Sequence, residues 1–386
     1  MSSSGSQPLA GRRIWIAGIG GAGMSAYALL AHAWGAEVAG WDRVDTPYLA
    51  HLVGIDVTVA ADPPRPPDGW EVYVSTAFAD HVEGRPRADL LAELVSLRRS
   101  IVVAGAHGKT TTSAMIAFCL ERLGHDPAFL IGGDVLQLGG NARAGEGWLV
   151  VEGDESDRSV AALRPEIAVL LNVDLDHHTT FASLAEVQEL FDAWLASVPH
   201  VVRAEQLDPA DLPLAVPGEH NRRNAAAALA ALELAGVQGA EQVIVEFTGV
   251  GRRLQRRGDH VYDSYAHHPA ELSADIAAVR NGGRVLALFQ PHLYSRTRYL
   301  AHEFATALAT ADAVCVTDVY AARELPIPGV SGKLIVDELA RVRPGMPIGW
   351  APSLEDGARI VAAWRTPGDV VLTLGAGDVD RAVDLL

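Results

Sequence analysis

The chain has 386 residues, 49% of them hydrophobic and 20% charged, with a formal net charge of −17. That length suits two or three packed domains, and the acidic balance argues against a broad nucleic-acid or membrane surface. Two cysteines in apolar runs, Cys119 and Cys315, give no disulfide framework, and neither a signal-peptide core nor an 18-residue apolar run is present. The expectation is a cytoplasmic protein with no nucleic-acid partner and no membrane insertion.

Short apolar strands alternate with helical stretches along the whole chain, the pattern of parallel sheets covered by helices, so the expected class is α/β. The first unit reads as a strand over residues 13–18, a helix over 24–33 and a strand over 37–42. Between the first two lies Gly18-Ile-Gly20-Gly21-Ala-Gly23, followed by Met24 and Ser25, and Asp42 ends the next strand. This is the G-x-G-x-x-G dinucleotide fingerprint. The glycines only let a diphosphate approach a helix N-terminus, so NAD and any other nucleoside diphosphate satisfy the pattern equally. Residues 70–75 form a further strand, and the proline-rich residues 62–68 a loop.

Near Arg99 the strand–loop–helix pattern restarts. A strand over 101–104 runs into Gly105-Ala106-His107-Gly108-Lys109-Thr110-Thr111. Lys109 and Lys333 are the only lysines among 31 basic residues. A lysine kept between glycine and threonine at a helix start reads as a phosphate contact, with the turn's N–H groups on phosphate oxygens and the Thr110 hydroxyl on Mg²⁺. Strands over 148–152 and 168–172 then place acids at their carboxyl ends, in Glu152-Gly-Asp154-Glu155-Ser-Asp157 and in Asn172-Val-Asp174-Leu-Asp176-His177-His178. Beside a phosphate loop these suggest a Mg²⁺–nucleotide site; solvated loop charge is the plainer reading.

Asn221 and Asn224 precede an alanine-rich helix and suit either an adenine edge or a helix cap. Arg252 and Arg253 suit a phosphoryl clamp; with Arg256 and Arg257 they otherwise read as a solvated face. A third set of strands follows, over residues 261–264, 284–289, 313–317 and 369–374. Two of their ends carry Tyr265, His267 and His268, and His292 and Arg296. His267 and His268 are neighbours whose side chains point apart, which does not suit a shared metal.

Taken together, these stretches resemble the Mur ligases of peptidoglycan synthesis. The likeness runs in order through GIGGAGMS at 18–25, GAHGKTTT at 105–112, EGDESD at 152–157 and NVDLDHH at 172–178. It continues through EHNRRNA at 219–225, GVGRRLQ at 249–255, DSYAHHP at 263–269, FQPHLYSRT at 289–297 and GAGD at 375–378. The AHHP and PHLYSRT stretches favour the alanine-adding members. The resemblance implies a Rossmann-like N-terminal domain for the UDP-sugar over 1–98, a P-loop central domain for ATP and Mg²⁺ over 99–249, and a Rossmann-like C-terminal domain over 250–386.

It also implies ATP-dependent, ADP-forming ligation of L-alanine to UDP-N-acetylmuramate through an acyl phosphate. Gly105 to Thr111, with Asn221 and Asn224, would hold ATP; Thr110, Glu152 and His177 would hold the metal. Lys109, His177, Arg253, His292 and Arg296 would act at the reacting groups. Gly18, Gly20, Gly21, Gly23, Met24, Ser25, Asp42, Tyr265, His267 and His268 would bind substrate. A ligase adding another amino acid or a peptide, or a relative that binds UDP-sugar and ATP without turnover, carries the same motifs. An NAD dehydrogenase would leave the Lys109 loop without a task.

The chain departs from the family pattern at Gly153 (usually alanine), Ala106 (threonine) and Ser264 (aspartate), and at His178 and Thr179 after the DH pair. Residues 202–217 alone connect to the EHN motif, where the family has many tens of residues, which implies a shortened central domain.

Several Mur ligases carry a carbamylated lysine after the DH motif. Between Lys109 and Lys333 this chain has no lysine, and arginine stays protonated and forms no such carbamate. Activity should therefore be insensitive to bicarbonate depletion, and intact-mass analysis should find no lysine carbamate. Activity lost on CO₂ removal and restored by bicarbonate would contradict this.

Overall fold

The computed structural model describes residues 7–175, 180–280, 283–322 and 324–386. Its first sheet contains β1 (Arg13–Ala17), β2 (Glu37–Asp42), β3 (Asp56–Val59), β4 (Glu71–Val74) and β5 (Arg85–Pro86), all parallel in the order β3-β2-β1-β4-β5. Helix α1 (Ala22–Ala33) follows β1, and α2 (Arg87–Ser96) follows β5. Four of the five β1 residues are buried, as expected for a parallel strand covered on both faces.

The second sheet contains β6 (Ser100–Ala104), β7 (Ala128–Val135), β8 (Gly140–Arg143), β9 (Leu149–Glu152), β10 (Ile167–Leu170) and β11 (His200–Arg203). Its order is β11-β10-β6-β9-β7-β8, and only the β7–β8 pair is antiparallel. Helix α3 (Lys109–Arg122) leaves β6 and is buried from Thr110 to Leu120. Helix α4 (Leu184–Leu195) starts at Ser183, whose hydroxyl accepts the Glu186 N–H, and buries Val187, Phe191, Trp194 and Leu195. Helices α5 (Glu219–Leu234) and α6 (Ala240–Ile244) follow.

In both sheets successive connections leave β1 and β6 toward opposite sides. This opens a crevice at the carboxyl ends of those two strands, where the two glycine-rich turns lie. A continuous apolar core from Leu9 to Val198 joins the two sheets, and residues Met1–Leu212 with Arg223–Phe247 form one compact unit.

The second unit comprises Pro213–Arg222 and Thr248–Leu386. Its sheet holds β12 (Gln255–Gly258), β13 (Val261–Ser264), β14 (Val285–Phe289), β15 (Ala313–Val316), β16 (Ile348–Trp350) and β17 (Val370–Leu374), in the order β12-β13-β17-β14-β15-β16. Only β12 is antiparallel. Helix α7 (Pro269–Val279) follows β13 and α8 (Tyr294–Tyr299) follows β14. The α/β, three-sheet expectation is borne out. Among the described residues no helix is long and apolar enough to cross a membrane.

Candidate active site

At the first turn, Gly18 has φ +81°, and a Cβ there would overlap the Ser75 side chain. The Gly20 N–H donates to Asp42 Oδ2 at 2.8 Å, and the Thr46 hydroxyl donates to the Gly20 carbonyl at 2.7 Å. Asp42, 6% exposed, therefore holds the glycine turn in shape from within. Gly21 is the N-cap of α1. Met24 packs into the core, and the Ser25 hydroxyl donates to the Ala22 carbonyl at 3.1 Å, so both residues serve the helix itself in this structure.

At the second turn, Asn172 at the end of β10 clasps the loop. Its Oδ1 accepts the His107 N–H and its Nδ2 donates to the His107 carbonyl, both at 2.9 Å, while its own carbonyl accepts the Ala106 N–H at 3.3 Å. A Cβ on Gly105 (φ +130°) would come within 2.8 Å of the Asn172 carbonyl, and one on Gly108 (φ +88°) within 2.5 Å of Asn224 Oδ1. Only glycine lets the backbone follow this path. Asn224 thus lies against the phosphate loop. The Asn221 amide instead donates to the Pro217 carbonyl at 2.6 Å, the helix-cap alternative of the sequence reading.

Lys109 folds back over its own turn. Its ammonium donates to the Gly105 carbonyl at 2.6 Å, to the Ala106 carbonyl at 3.3 Å and to both Glu155 carboxylate oxygens at 3.0 Å. Burial alone would lower the Lys109 pKa; the carboxylates of Glu155, Glu152 and Asp154 more than offset this and hold it above its ordinary value. The group remains a cation. The Thr110 hydroxyl donates to Glu152 Oε1 at 3.1 Å, and the Gly132 N–H fixes Oε2 at 2.8 Å. Thr111 is buried behind them. His107 Nε2 lies 3.5 Å from the Asp174 carboxylate. His177 and His178 fall outside the described residues.

In the second unit, the carboxyl ends of β13 and β14 bring together the remaining candidates. His267 Nδ1 lies 2.9 Å from the Tyr265 carbonyl, and the N–H groups of His267 and His268 donate to Glu271 Oε2 at 3.0 and 3.3 Å. His268 is the N-cap of α7. The His267 and His292 rings are 6.0 Å apart, and His292 stacks on Tyr320. Arg296, 7% exposed, places Nη1 3.4 Å from His292 Nδ1. Between them Leu293 holds φ +71°, a strained conformation for a residue with a Cβ.

The basic cluster divides. Arg252 is consumed structurally: it donates to Asp263 at 3.0 Å and to the carbonyls of Gly377 and Gly375 at 2.7 and 2.8 Å, so it is not a phosphoryl clamp here. Arg253 lies over the Tyr265 ring and 3.5 Å from Glu271. Arg256 and Arg257 belong to the exposed edge strand β12, the solvated face.

Four contributors escaped the sequence reading as individuals: Glu155, Asn172, Arg87 and Asp275. The first two sat inside quoted motifs with nothing to single them out. Asp275 did leave a signal, an acid among the core-facing Leu272, Ile276 and Val279 of α7. It accepts the Ser264 hydroxyl at 2.5 Å and lies 3.8 Å from His220 Nε2. Burial pushes the Asp275 carboxyl up to about 7, opposed by the Ser264 bond and by Arg253 and reinforced by Glu271. Burial also lowers the His220 imidazole.

Because the folded Asp275 binds its proton more tightly than the unfolded one, its contribution is fullest below the unfolded pKa and is lost as pH rises toward about 7. Asp275→Asn should therefore gain stability relative to wild type between about pH 4 and 7, with the gap level above. Urea unfolding of both proteins across that range checks this. A difference independent of pH would contradict it.

Known proteins resemble this chain over most of its length. Residues 103–199 match the Mur ligase middle domain, and residues 252–377 match the Mur ligase glutamate ligase domain. A UDP-N-acetylmuramate–L-alanine ligase of Streptomyces coelicolor is 40% identical over 96% of this chain and 96% of its own. One from Rubrobacter xylanophilus is 37% identical over 96% and 98%. The crystal structure of the UDP-N-acetylmuramate–alanine ligase of Thermotoga maritima superposes with a TM-score of 0.77 at 27% identity, covering 96% of this chain and 97% of that one. The Streptomyces alignment spans 446 positions while covering 96% of the 386 residues here, so more than 60 of its positions have no counterpart in this chain.

Proposed function

The chain belongs to the Mur ligase family, and from that membership we propose that it is an ATP-dependent ligase joining L-alanine to the lactyl carboxylate of UDP-N-acetylmuramate in peptidoglycan synthesis. The carrying observation is the likeness to alanine-adding ligases over nearly the full length of both chains. The buried Lys109 turn supplies the matching chemistry.

A free carboxylate is a poor electrophile. In this reading the lactyl carboxylate takes the γ-phosphoryl group of ATP, giving an acyl phosphate and ADP. The alanine amine then attacks the acyl carbon, the C–O bond to phosphate breaks, phosphate leaves with the electron pair, and the nitrogen loses a proton. The protein's part is placement and charge neutralisation. Lys109, already a cation, exchanges the Glu155 carboxylate for a phosphate oxygen, and the first N–H groups of α3, which lack intrahelical partners, face the same charge.

Thr110 and Glu152 fit Mg²⁺, since two hard oxygen donors already lie 3.1 Å apart at the head of α3. Bound there, the ion would offset phosphoryl charge. We assign the UDP diphosphate to the turn from Gly18 to Gly23. Asn224 belongs beside the nucleotide phosphates, because it abuts Gly108. In the second unit, His292 and Arg296 suit the muramyl or alanyl portion, with Tyr265, His267 and His268 around them, and Arg253 suits a phosphate.

Lys109→Ala and Glu152→Ala should each lower turnover by about 10²-fold or more, the scale for removing one charge-stabilising group. Steady-state kinetics on variants shown to be folded by circular dichroism check this. Near-wild-type turnover in either would remove that residue from the site.

A further inference from the structure

Four acids fall within the six residues Glu152 to Asp157, and the structure divides them between two partners. Glu152 and Glu155 face the phosphate loop through Thr110 and Lys109. Asp154 and Asp157 instead meet Arg87, the first residue of α2. Arg87 Nη2 donates to Asp157 at 2.7 Å and to Asp154 at 3.2 Å, and its Nε adds a bond to Asp157 at 3.1 Å.

The other edge of the guanidinium reaches the first glycine turn. Arg87 Nη1 lies 3.5 Å from the point where a Cβ would stand on Gly23, with the Tyr27 hydroxyl 3.9 Å from that point. One arginine, at the start of α2, thus faces Gly23 beside the N-terminal turn and holds Asp154, whose chain neighbour Glu155 holds Lys109.

We propose that Arg87 is a positioning residue that couples the two loops, so that a nucleoside diphosphate at the Gly18–Gly23 turn and ATP at the Lys109 turn each strengthen the binding of the other. This rests on the ligand assignment given above. A diphosphate at the α1 N-terminus adds negative charge on the Gly23 side and fixes the guanidinium. A triphosphate at Lys109 displaces Glu155 and leaves the acidic segment dependent on Arg87. Whichever ligand arrives first orders the shared arginine and acids, so the second finds them ordered, and the coupling is positive and reciprocal. Two N–H groups converging on one Asp157 oxygen, a shared bond to Asp154 and the partial burial of Arg87 set this cluster apart from a single surface ion pair.

Calorimetric titration tests this with the full chain. UDP-N-acetylmuramate is titrated alone and then in the presence of a saturating non-hydrolysable ATP analogue with Mg²⁺. Wild type should bind about 5-fold more tightly or better with the analogue present, the lower end of typical couplings. Arg87→Ala and the double variant Asp154→Asn/Asp157→Asn should each bind both ligands singly yet show less than about a twofold change. Arg87→Lys should restore only part of the effect, since an ammonium cannot span both carboxylates in the same fork. Coupling retained in the folded Arg87→Ala and Asp154→Asn/Asp157→Asn variants, or absent from wild type, would overturn the inference. Wild type that binds neither ligand would instead overturn the functional reading beneath it.

Discussion

The largely buried pairing of the Lys109 ammonium with the Glu155 carboxylate, 15% and 4% exposed, is the constraint on which the central architecture depends. The lysine side chain is drawn back over its own turn by the carbonyls of Gly105 and Ala106, and the carboxylate closes the third side. A charge in such a place costs far more alone than paired, so whatever carries Glu155 must be held to within a bond length. That requirement reaches outward. The acidic segment is anchored at one end by Glu152 on Thr110 and Gly132, and through Asp154 and Asp157 by Arg87. A bound phosphate has the charge and the hydrogen-bond acceptors to take the place of Glu155 without leaving the ammonium exposed to an apolar interior.

The same logic governs the loops themselves. Both glycine turns sit at strand ends where the sheet order reverses, and each is pinned by a side chain from a neighbouring strand, Asp42 in the first sheet and Asn172 in the second. Asp42 explains why the fingerprint at the N-terminus is not diagnostic of NAD. Its carboxylate accepts the Gly20 N–H and the Arg43 N–H, so an acid at this position is accounted for by bracing the turn, whichever diphosphate the turn holds.

Much of this was legible in the sequence because it is written in residues with few alternatives. Gly105 and Gly108 announce a left-handed backbone in close contact, and a solitary lysine beside them announces a phosphate. The core strands were readable for the same reason: β6, β10, β14 and β17 are wholly buried, and apolar but for Ser100 and Thr373. The edge strands β3, β8 and β12 carry no such pattern, since they are short and largely polar or exposed, and they form only because a neighbour offers hydrogen bonds. Adjacent arginines show the other limit. Nothing in the cluster at 252–257 says that Arg252 turns inward to three oxygen partners while Arg253 lies beside Glu271; a positive φ at Arg252 makes that division, and φ is a property of the folded turn. Arg87 was invisible for a related reason, because its partners are about 70 residues away.

The central claim is the reaction itself, and ADP release followed by a coupled assay tests it most directly. With UDP-N-acetylmuramate, ATP and Mg²⁺ present, ADP formation should depend on L-alanine, and a UDP-N-acetylmuramoyl-alanine product should appear in equal amount by mass spectrometry. Glycine, serine or a peptide should support markedly slower release. ADP formation that required a peptide in place of alanine, or no amino-acid-dependent turnover by a protein that still binds both nucleotides, would contradict the account.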